Sequence, residues 1–409
     1  MRMAMAAVMA LTVVVACGPR IQQGPLAGDY QLYVVTSTPT STVVAVVDSL
    51  THQTMRTLPL GVPSPDWRHY YVVTKGALQD LDPNTGAVLN SMRLDRPYQL
   101  PVVTMAGQPG GLSHNGEWVV LESAERTHLL VVDTLFRAKP IAVDLPGRFT
   151  FDAISDDGTN LYLIQHADDS HYYVRLYRVS EGRLDPQIVF DKSDGANAMT
   201  GLRLGGVASP DGDWLFSVYA RKQQSAFVHA LWLGNSTAFC LDLAGVGYSA
   251  DPRALSWSVA MNSQGTRVFA VNPVLGLIAD ISTASTSAMP YVAQSRTFKV
   301  YGQSASLGVQ DVQAKELGGG VAVSPDGRTV IAGGPTGLIW IDAQSLNVTG
   351  TALDDWTIAG LTLSADGSTV FAISDGGLIA QLSISGRLLS TFSAGAVSPL
   401  ALMRAVAAS

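Results

Sequence analysis

Short runs of alternating apolar and polar residues, separated by polar turns, extend along the chain from about residue 30 onward. The runs are rich in β-branched and aromatic residues, which favours short strands over helices. A turn that usually ends in glycine recurs about every 50 residues, which leaves room for four strands between successive turns. The seven turns begin at Ser64, Ser113, Ser155, Ser209, Asn262, Ser324 and Ser364.

The chemistry of these turns is structural. In Ser324-Pro325-Asp326-Gly327, proline fixes φ, aspartate accepts hydrogen bonds from the backbone that follows, and glycine supplies the positive φ that closes a hairpin. The aspartates recur once per unit instead of gathering in one segment, and no stretch has the ligand spacing of a calcium loop or a zinc site. The sequence therefore predicts no metal site.

The strand after each turn has a similar sequence from unit to unit. Tyr33-Val34-Val35-Thr36 and Tyr71-Val72-Val73-Thr74 resemble the YVTN-type β-propeller repeat, and the fullest copy is 324–342. The resemblance covers about residues 30–403, although the tryptophan-aspartate ending of the related WD40 repeat is missing. It implies an all-β fold, a β-propeller of four-stranded blades, in one domain over residues 30–409.

Counting units predicts eight blades, with seven as the alternative because the repeat is least regular between Ser155 and Gly320. The first unit offers three strands but no innermost one. The apolar segment Val397–Met403 has no later partner. We therefore expect this segment to pair with the strand that contains Tyr33 and to close the ring, since a propeller sheet must be covered on both faces.

The N-terminus predicts export and a lipid anchor. Ala4–Ala16 is an apolar run of 13 residues behind a positive start, too short to span a bilayer. Val14-Val15-Ala16-Cys17 resembles a lipobox, which implies a signal peptide over 1–16, a lipid (diacylglycerol, palmitate) on Cys17 and a tether over 17–29. The chain is then a lipoprotein on the extracytoplasmic side of a bacterial membrane, inner or outer; the alternative is an ordinary signal peptide with a chance cysteine.

The composition and charge limit the kinds of molecule that the protein can be expected to bind. The net charge is −7, and only 14% of the residues are charged, so nucleic acid is an unsuitable partner. The 39 glycines and 20 prolines suit a chain with many turns. Once Cys17 carries a lipid, Cys240 is the one remaining cysteine, so no internal disulfide can form and we expect Cys240 to be a small buried residue.

No catalytic residue, cofactor or metal ligand is predicted. The seven histidines are scattered, no hydrolase or phosphate-binding motif is present, and Trp118 and Trp214 are expected to pack between blades. Function is expected in the two longest insertions. The candidate binding loop over 282–320 contains Tyr291, Arg296, Phe298, Lys299, Tyr301 and Asp311. The second insertion, 191–206, contains Lys192, Asp194, Met199 and Arg203.

These features favour a non-catalytic binding or scaffold module for an envelope partner. Two alternatives stay open: a lactonase-like propeller hydrolase and a small-ligand-binding protein. The inner rim of the ring should discriminate between them. Histidine, arginine and carboxylates gathered there would favour an enzyme, and an apolar or aromatic rim would favour partner binding.

Overall fold

The computed structural model describes residues 30–190, 198–283, 289–300, 320–393, 395 and 399–407. In chain order, the first part contains β1 (Tyr30–Ser37), β2 (Thr42–Asp48), β3 (Thr54–Pro59), β4 (Val62–Pro63), β5 (Tyr70–Thr74), β6 (Ala77–Leu81), β7 (Val88–Arg93), β8 (Tyr98–Gln99), β9 (Trp118–Ser123), β10 (His128–Asp133), β11 (Ile141–Asp144), β12 (Phe149–Ile154), β13 (Asn160–His166), β14 (His171–Arg178), β15 (Arg183–Val189) and β16 (Met199–Thr200). The second part contains β17 (Leu202–Ala208), β18 (Trp214–Ala220), β19 (Phe227–Trp232), β20 (Thr237–Asp242), a 3₁₀ turn (Pro252–Leu255), β21 (Ser258–Met261), β22 (Arg267–Asn272), β23 (Leu277–Ser282), β24 (Tyr291–Thr297), β25 (Val321–Val323), β26 (Thr329–Gly334), β27 (Gly337–Asp342), β28 (Val348–Ala352), β29 (Ile358–Leu363), β30 (Thr369–Ser374), β31 (Leu378–Ser383), β32 (Leu388–Ser393) and β33 (Pro399–Ala407).

The described strands form eight antiparallel sheets, which confirms the prediction of an eight-bladed propeller with four-stranded blades. Blades 1 to 7 are β4–β7, β8–β11, β12–β15 with the short β16, β17–β20, β21–β24, β25–β28 and β29–β32, and blade 8 is β33 with β1–β3. The first strands of blades 4 to 8 pack one against the next around the axis, and apolar clusters join the other neighbouring blades. Each sheet is thereby covered by its neighbours.

Apolar side chains fill the spaces between blades. Val120 and Val131 of blade 2 pack with Phe151 and Leu163 of blade 3 in one buried cluster. Burying one such side chain stabilises the fold by roughly 1.5–3 kcal/mol. Trp118 closes this junction, because a Cβ at Gly158 of blade 3 would lie 2.4 Å from its ring.

Trp214 plays the same role two blades further on, in blade 4. Its ring stacks on Trp232 with centroids 5.2 Å apart and packs in the cluster between blades 4 and 5. The predicted packing role of both tryptophans is therefore confirmed.

The chain ends meet in blade 8, as the sequence predicted. β1 pairs with β33 from Tyr30 opposite Ala407 to Thr36 opposite Pro399. Leu402 and Ala405 of β33 are buried in the cluster that joins blades 7 and 8. This blade explains why seven turns accompany eight blades: the recurring turn links the innermost strand to the second, and here those strands come from opposite ends of the chain.

The recurring turns are built as expected. The Oγ of Ser324 donates to Asp326 Oδ1 at 2.6 Å and accepts from the N–H of Thr329 at 3.0 Å. The hydrogen bond from Ser324 holds the Asp326 carboxylate in the turn and lowers the pKa of Asp326. The glycines do more than close hairpins, because they also bring neighbouring turns into contact. A Cβ at Gly116 would lie 2.8 Å from Pro65 Cδ of the preceding turn, and one at Gly265 would lie 2.7 Å from Pro210 Cδ.

Gly367 is the most constrained of these positions. Its φ is +67°, and a Cβ would lie 2.0 Å from Pro325 Cγ. We expect Gly367→Ala to lower the free energy of unfolding by at least about 1–3 kcal/mol, from backbone strain plus displacement of the proline. Urea unfolding measures this. Gly376→Ala is the control, because a Cβ at Gly376 would lie 3.7 Å from the nearest atom, Ser374 Oγ. An equal loss of unfolding free energy in both variants would contradict the argument.

The two insertions differ from expectation in part, because some of their described residues belong to blade strands. Tyr291–Thr297 is β24, the outer strand of blade 5, and Leu202–Ala208 is β17, the innermost strand of blade 4. Each blade needs an inner and an outer strand to complete its sheet, so these residues are strands instead of loops. Residues 191–197, with Lys192 and Asp194, lie outside the described residues.

The predicted signal peptide, Cys17 and the tether also lie outside the described residues, so the lipid anchor stays a prediction. Within the described ranges, no helix has the length and apolar character needed to cross a bilayer. Cys240 is half-buried and packs, as a small apolar residue, at the edge of an aromatic cluster between blades 3 and 4.

Candidate functional site

The inner strand of blade 2 is interrupted by an excursion of the chain. Blade 2 pairs Tyr98 with Ser123 in β9, and pairing resumes only with Leu112 opposite Val119. Between them, residues 100–111, which we call the inner loop, fold back on themselves through a bridge between Val102 and Pro109. The loop tip reaches past blade 3, because the Met105 N–H donates to the carbonyl of Arg203 in blade 4 at 2.8 Å.

Two cavities adjoin the inner loop. The rim cavity, about 240 Å³, is lined by residues of blades 3 and 4 and by loop residues 102–105. The channel cavity, about 190 Å³, is lined by the inner strands of blades 1 to 4. Val103, Phe151 and Arg203 line both cavities and therefore lie between them. The inner loop thus divides this side of the ring interior into two compartments.

An ion pair joins the inner strands of blades 3 and 4 at this boundary. Arg203 Nη1 donates to Asp152 Oδ1 at 2.9 Å, and the two side chains are 14% and 1% exposed. Asp152 Oδ2 and Arg203 Nε are buried, and neither has a hydrogen-bond partner. Each such atom costs about 1–3 kcal/mol when left unsatisfied, so the pair carries a cost that its own hydrogen bond must offset.

Aromatic side chains form one wall of the rim cavity. Tyr172 of blade 3 stacks on Tyr219 of blade 4 with centroids 6.1 Å apart, and Tyr219 stacks on Phe227 at 5.3 Å. Burial raises the pKa of Tyr172 and of Tyr219 well above the ordinary value, so both phenols stay neutral. The Tyr172 hydroxyl is also buried without a partner, which adds a third unsatisfied polar atom to Asp152 Oδ2 and Arg203 Nε.

The rim cavity also holds a hydroxyl beside an imidazole. Thr150 Oγ1 lies 3.1 Å from His166 Nε2, and both residues line the cavity. Burial, followed by the charges of Arg126 and Arg148, lowers the pKa of His166. The ring is therefore neutral near pH 7 and can accept a proton at Nε2 in the appropriate tautomer.

Glu122 of β9 is a buried carboxyl next to this region. It is 3% exposed, and its Oε2 accepts from the Phe151 N–H at 3.4 Å. Burial raises the pKa of Glu122, so the folded state holds this proton more tightly than the unfolded chain. The stabilisation that protonation provides is complete below the unfolded pKa and is lost as the pH rises through the folded pKa.

We therefore expect Glu122→Gln to be more stable than the wild type at pH 8 and to lose that advantage at pH 4. Urea unfolding at both pH values measures the difference. Exposed Glu125→Gln is the control and should show no such trend. A difference for Glu122→Gln that is the same at both pH values would contradict the assignment.

A second inter-blade contact lies among the recurring turns. Asp156 Oδ1 accepts from the Asn115 N–H at 2.8 Å, and Asp156 Oδ2 lies 3.4 Å from His114 Nδ1. His114 also lines the channel cavity. The inner rim of blades 2 to 4 therefore carries charged pairs and histidines, which were expected of an enzyme. It also carries apolar and aromatic side chains, which were expected of a partner-binding surface.

The predicted binding-loop residues lie elsewhere in the ring. Tyr291 and Arg296 lie on β24, and Arg296 Nη1 donates to the Ser345 carbonyl of blade 6 at 2.5 Å. Phe298 packs against the core between blades 5 and 6, and Lys299 follows it. Tyr301 and Asp311 lie outside the described residues. None of the four described residues of this set lines either cavity, and the role of all six in binding stays a prediction.

Among the insertion residues that the structure describes, Arg203 is the one that lines the cavities. Asp152, Thr150 and Tyr172 were missed because single polar residues within strands carry no motif. The inner loop had a usable signal: Pro109-Gly110-Gly111 is a turn sequence where an innermost strand was expected. Among the described residues, no group of three or more histidine, cysteine or acidic side chains could hold a metal ion.

Comparison with known proteins identifies the fold alone. No protein-family model matches the chain, and no curated protein matches it. Apo AztD from Citrobacter koseri is similar in structure, with a TM-score of 0.56 and 12% identity over 92% of this chain and 98% of that chain. Dihydro-heme d1 dehydrogenase NirN in complex with DHE is similar with a TM-score of 0.55 and 14% identity, over 93% of this chain and 76% of that chain. BamB from Moraxella catarrhalis is similar with a TM-score of 0.51 and 11% identity, over 81% of this chain and 87% of that chain. The chain is thus a β-propeller protein whose structural neighbours include an enzyme.

Proposed function

We propose that the protein is a non-catalytic binding module, held by a lipid on Cys17 at a bacterial cell membrane and facing the extracytoplasmic side. Its propeller binds an envelope partner at the mouth of the rim cavity. The observation that carries this proposal is the exposed apolar pair at the mouth, where Val102 is 55% and Leu202 is 38% exposed beside a cavity with unsatisfied polar atoms.

Exposed apolar side chains next to buried polar groups are typical of recognition surfaces. The inner loop supports this role, because Val102 lies on it and the hydrogen bond from Met105 holds the loop against blade 4. Recognition residues on a loop held by a rigid scaffold lose little conformational entropy on binding. The structural similarity to BamB and AztD supports the propeller as the scaffold and does not indicate which partner binds.

Site-specific photo-cross-linking in the native cell tests the proposal. A photo-reactive phenylalanine derivative is placed at Val102 or at Leu202, and for comparison at Val88 or Leu388, which are equally exposed on outer strands. We expect one and the same cross-linked protein from the two mouth positions and none from the outer ones. The band should weaken in Cys17→Ala, which lacks the lipid site. Equal labelling at all four positions, or none at the mouth, would overturn the proposal.

Hydrolysis of an ester or lactone is a second candidate function, favoured by the 3.1 Å approach of Thr150 Oγ1 to His166 Nε2. In this function His166 accepts the Thr150 proton as the hydroxyl oxygen attacks the carbonyl carbon, and the imidazolium gives that proton to the alcohol oxygen as the acyl C–O bond breaks. Water then hydrolyses the acyl-threonine ester and restores the Thr150 hydroxyl. The test is turnover of a panel of lactones and p-nitrophenyl esters by the full chain in detergent. If the wild type turns over a substrate, His166→Gln should lower the rate at least ~100-fold. No turnover by the wild type would exclude the candidate for that panel.

A further inference from the structure

We propose that the partner anchors itself in the rim cavity by one aromatic side chain, and that acidic residues next to this side chain lie against Arg126 and Arg148 at the edge of the cavity. The inference rests on the proposed function and names the chemistry of the partner at that same surface. The occupant is thus a segment of the partner protein in which an aromatic residue stands between acidic ones.

The rim cavity can be reached from the surface of the protein. Val102 and Leu202 line it and are 55% and 38% exposed. Thr150 and His166 line it as well and are only half-buried. A side chain of a bound partner can therefore enter the cavity beside these four residues.

The volume of the rim cavity favours a single side chain over a larger ligand. The cavity measures about 240 Å³. A cavity of ~150 Å³ holds benzene, whereas pockets for drug-sized molecules measure roughly 300–1,000 Å³. The rim cavity can therefore take one aromatic side chain, and tryptophan and tyrosine are enriched among the residues that dominate the binding energy of protein interfaces.

The walls of the rim cavity suit an aromatic ring. Phe151, Tyr172 and Tyr219 line it with rings, and Val103 and Ile164 line it with aliphatic side chains. Ring–ring contacts in edge-to-face or offset geometry stabilise a complex beyond the area that they bury. An aromatic anchor therefore fits these walls better than an aliphatic one.

The edge of the cavity next to His166 carries an excess of positive charge. The His166 N–H donates to the Arg148 carbonyl at 3.0 Å, and the Phe149 N–H donates to the Arg126 carbonyl at 2.7 Å. Both arginines are exposed, and Arg148 pairs with the exposed Asp169 at 3.1 Å. The charges that act on the His166 ring are those of Arg126, Arg148 and Asp169, two positive and one negative. An acidic residue of the partner therefore complements this edge.

The same charges disfavour a basic anchor. Arginine is also frequent among the residues that dominate interfaces, but an arginine in the rim cavity would lie beside Arg126 and Arg148. The lining residue Arg203 would oppose it as well, since its counter-ion Asp152 is already bound to it at 2.9 Å. The anchor is therefore an uncharged ring with carboxylates beside it.

Four short peptides of equal length test the two requirements. Three contain 5-fluorotryptophan between two aspartates, two asparagines or two lysines, and the fourth contains fluoroalanine between two aspartates. Each is titrated into the full chain in detergent at pH 7 and followed by fluorine NMR, with detergent alone as the blank. We expect the acidic tryptophan peptide to bind at least fivefold more tightly than each of the others. Equal binding of the acidic and basic peptides, or no binding of the acidic one at millimolar concentration, would overturn the proposal.

Charge reversal gives a readout that a packing defect would not give. Arg126→Glu should weaken the acidic tryptophan peptide at least fivefold and leave the asparagine peptide unchanged. Arg68→Glu is the matched control, because this side chain is 83% exposed in the recurring turn of blade 1 and the change in net charge is the same. Equal effects of the two variants on the acidic peptide would contradict the role of the positive edge.

A cavity-filling variant locates the anchor. Ile164 lines the rim cavity, so Ile164→Trp should fill it and weaken the acidic tryptophan peptide at least fivefold. Ala208→Leu, in the channel cavity, should leave its binding unchanged. Unchanged binding in Ile164→Trp, or loss in Ala208→Leu, would overturn the assignment. If Ile164→Trp does not fold, the exposed Arg126→Glu still decides the matter.

The photo-cross-linking experiment separates this inference from the proposed function. The band obtained from Val102 should fall at least fivefold in Arg126→Glu and stay unchanged in Arg68→Glu. A band that is equally strong in both variants would overturn the acidic aromatic anchor and leave the partner surface standing. The absence of any band from Val102 and Leu202 would instead overturn the partner surface itself.

Discussion

Deletion of residues 396–409 should abolish cooperative unfolding, because it removes β33 and with it the innermost strand of blade 8. β1 would lose its partner from Tyr30 to Thr36, and the apolar contacts of Leu402 and Ala405 between blades 7 and 8 would be lost. An open ring also exposes one face of each terminal blade, and no other described strand covers them. Urea unfolding followed by circular dichroism should change from one sharp transition to a broad one.

A rearranged chain separates ring closure from mere chain length. Ala407 pairs directly with Tyr30, so residues 399–407 can be placed before residue 30 and joined to it by an Asn-Gly hairpin turn. This permutant, which ends at Ser393, contains every described strand and should recover the sharp transition. A truncated protein that unfolds as sharply as the full chain, or a permutant that stays broad, would contradict the proposed closure.

Asp152→Ala should lower the free energy of unfolding by about 3–5 kcal/mol, because it leaves the Arg203 guanidinium buried without its counter-ion. The effect is large because the partners are only 1% and 14% exposed. Arg148 and Asp169 form the matched control, since that pair is 51% and 93% exposed and Asp169→Ala should leave the urea midpoint unchanged.

The double variant Asp152→Val with Arg203→Met distinguishes a stabilising pair from a costly one. Replacing both charges by apolar side chains of similar volume removes the desolvation penalty as well as the attraction. We expect urea unfolding to give the double variant a free energy of unfolding equal to that of the wild type or higher. If the double variant is as unstable as Asp152→Ala alone, the loss comes from packing, and the ion pair is not its cause.

The fold could be predicted in detail, and the site only in part. The turn sequence is local, because Ser324, Asp326 and Gly327 interact with one another and with the strand beside them. Such local hydrogen bonds leave a periodic signal that can be counted. The pairing of Asp152 with Arg203 spans 51 positions and two blades, and neither residue belongs to a repeated position. No spacing in the sequence indicates that contact.

The candidate binding loop illustrates the same limit. Residues 282–320 stand out because the repeat is interrupted, yet Tyr291 and Arg296 complete the outer strand of blade 5. The inner loop gave a weaker signal, although it reaches the cavities. The difference lies in the ring: the inner loop interrupts an innermost strand and borders the enclosed interior, whereas Tyr291 and Arg296 lie on an outer strand, away from it.

The sequence by itself determined the strands, the recurring turns, the eight blades and the pairing of the chain ends, because each follows from residue periodicity and the need to bury apolar faces. It also predicts the lipid anchor at Cys17. Only the tertiary structure decided where chemistry gathers. Ring closure brings Arg203, Asp152 and the inner loop together around two cavities and leaves polar atoms unsatisfied among apolar walls. Burial of that kind depends on neighbours distant in sequence, so the order of residues alone does not record it.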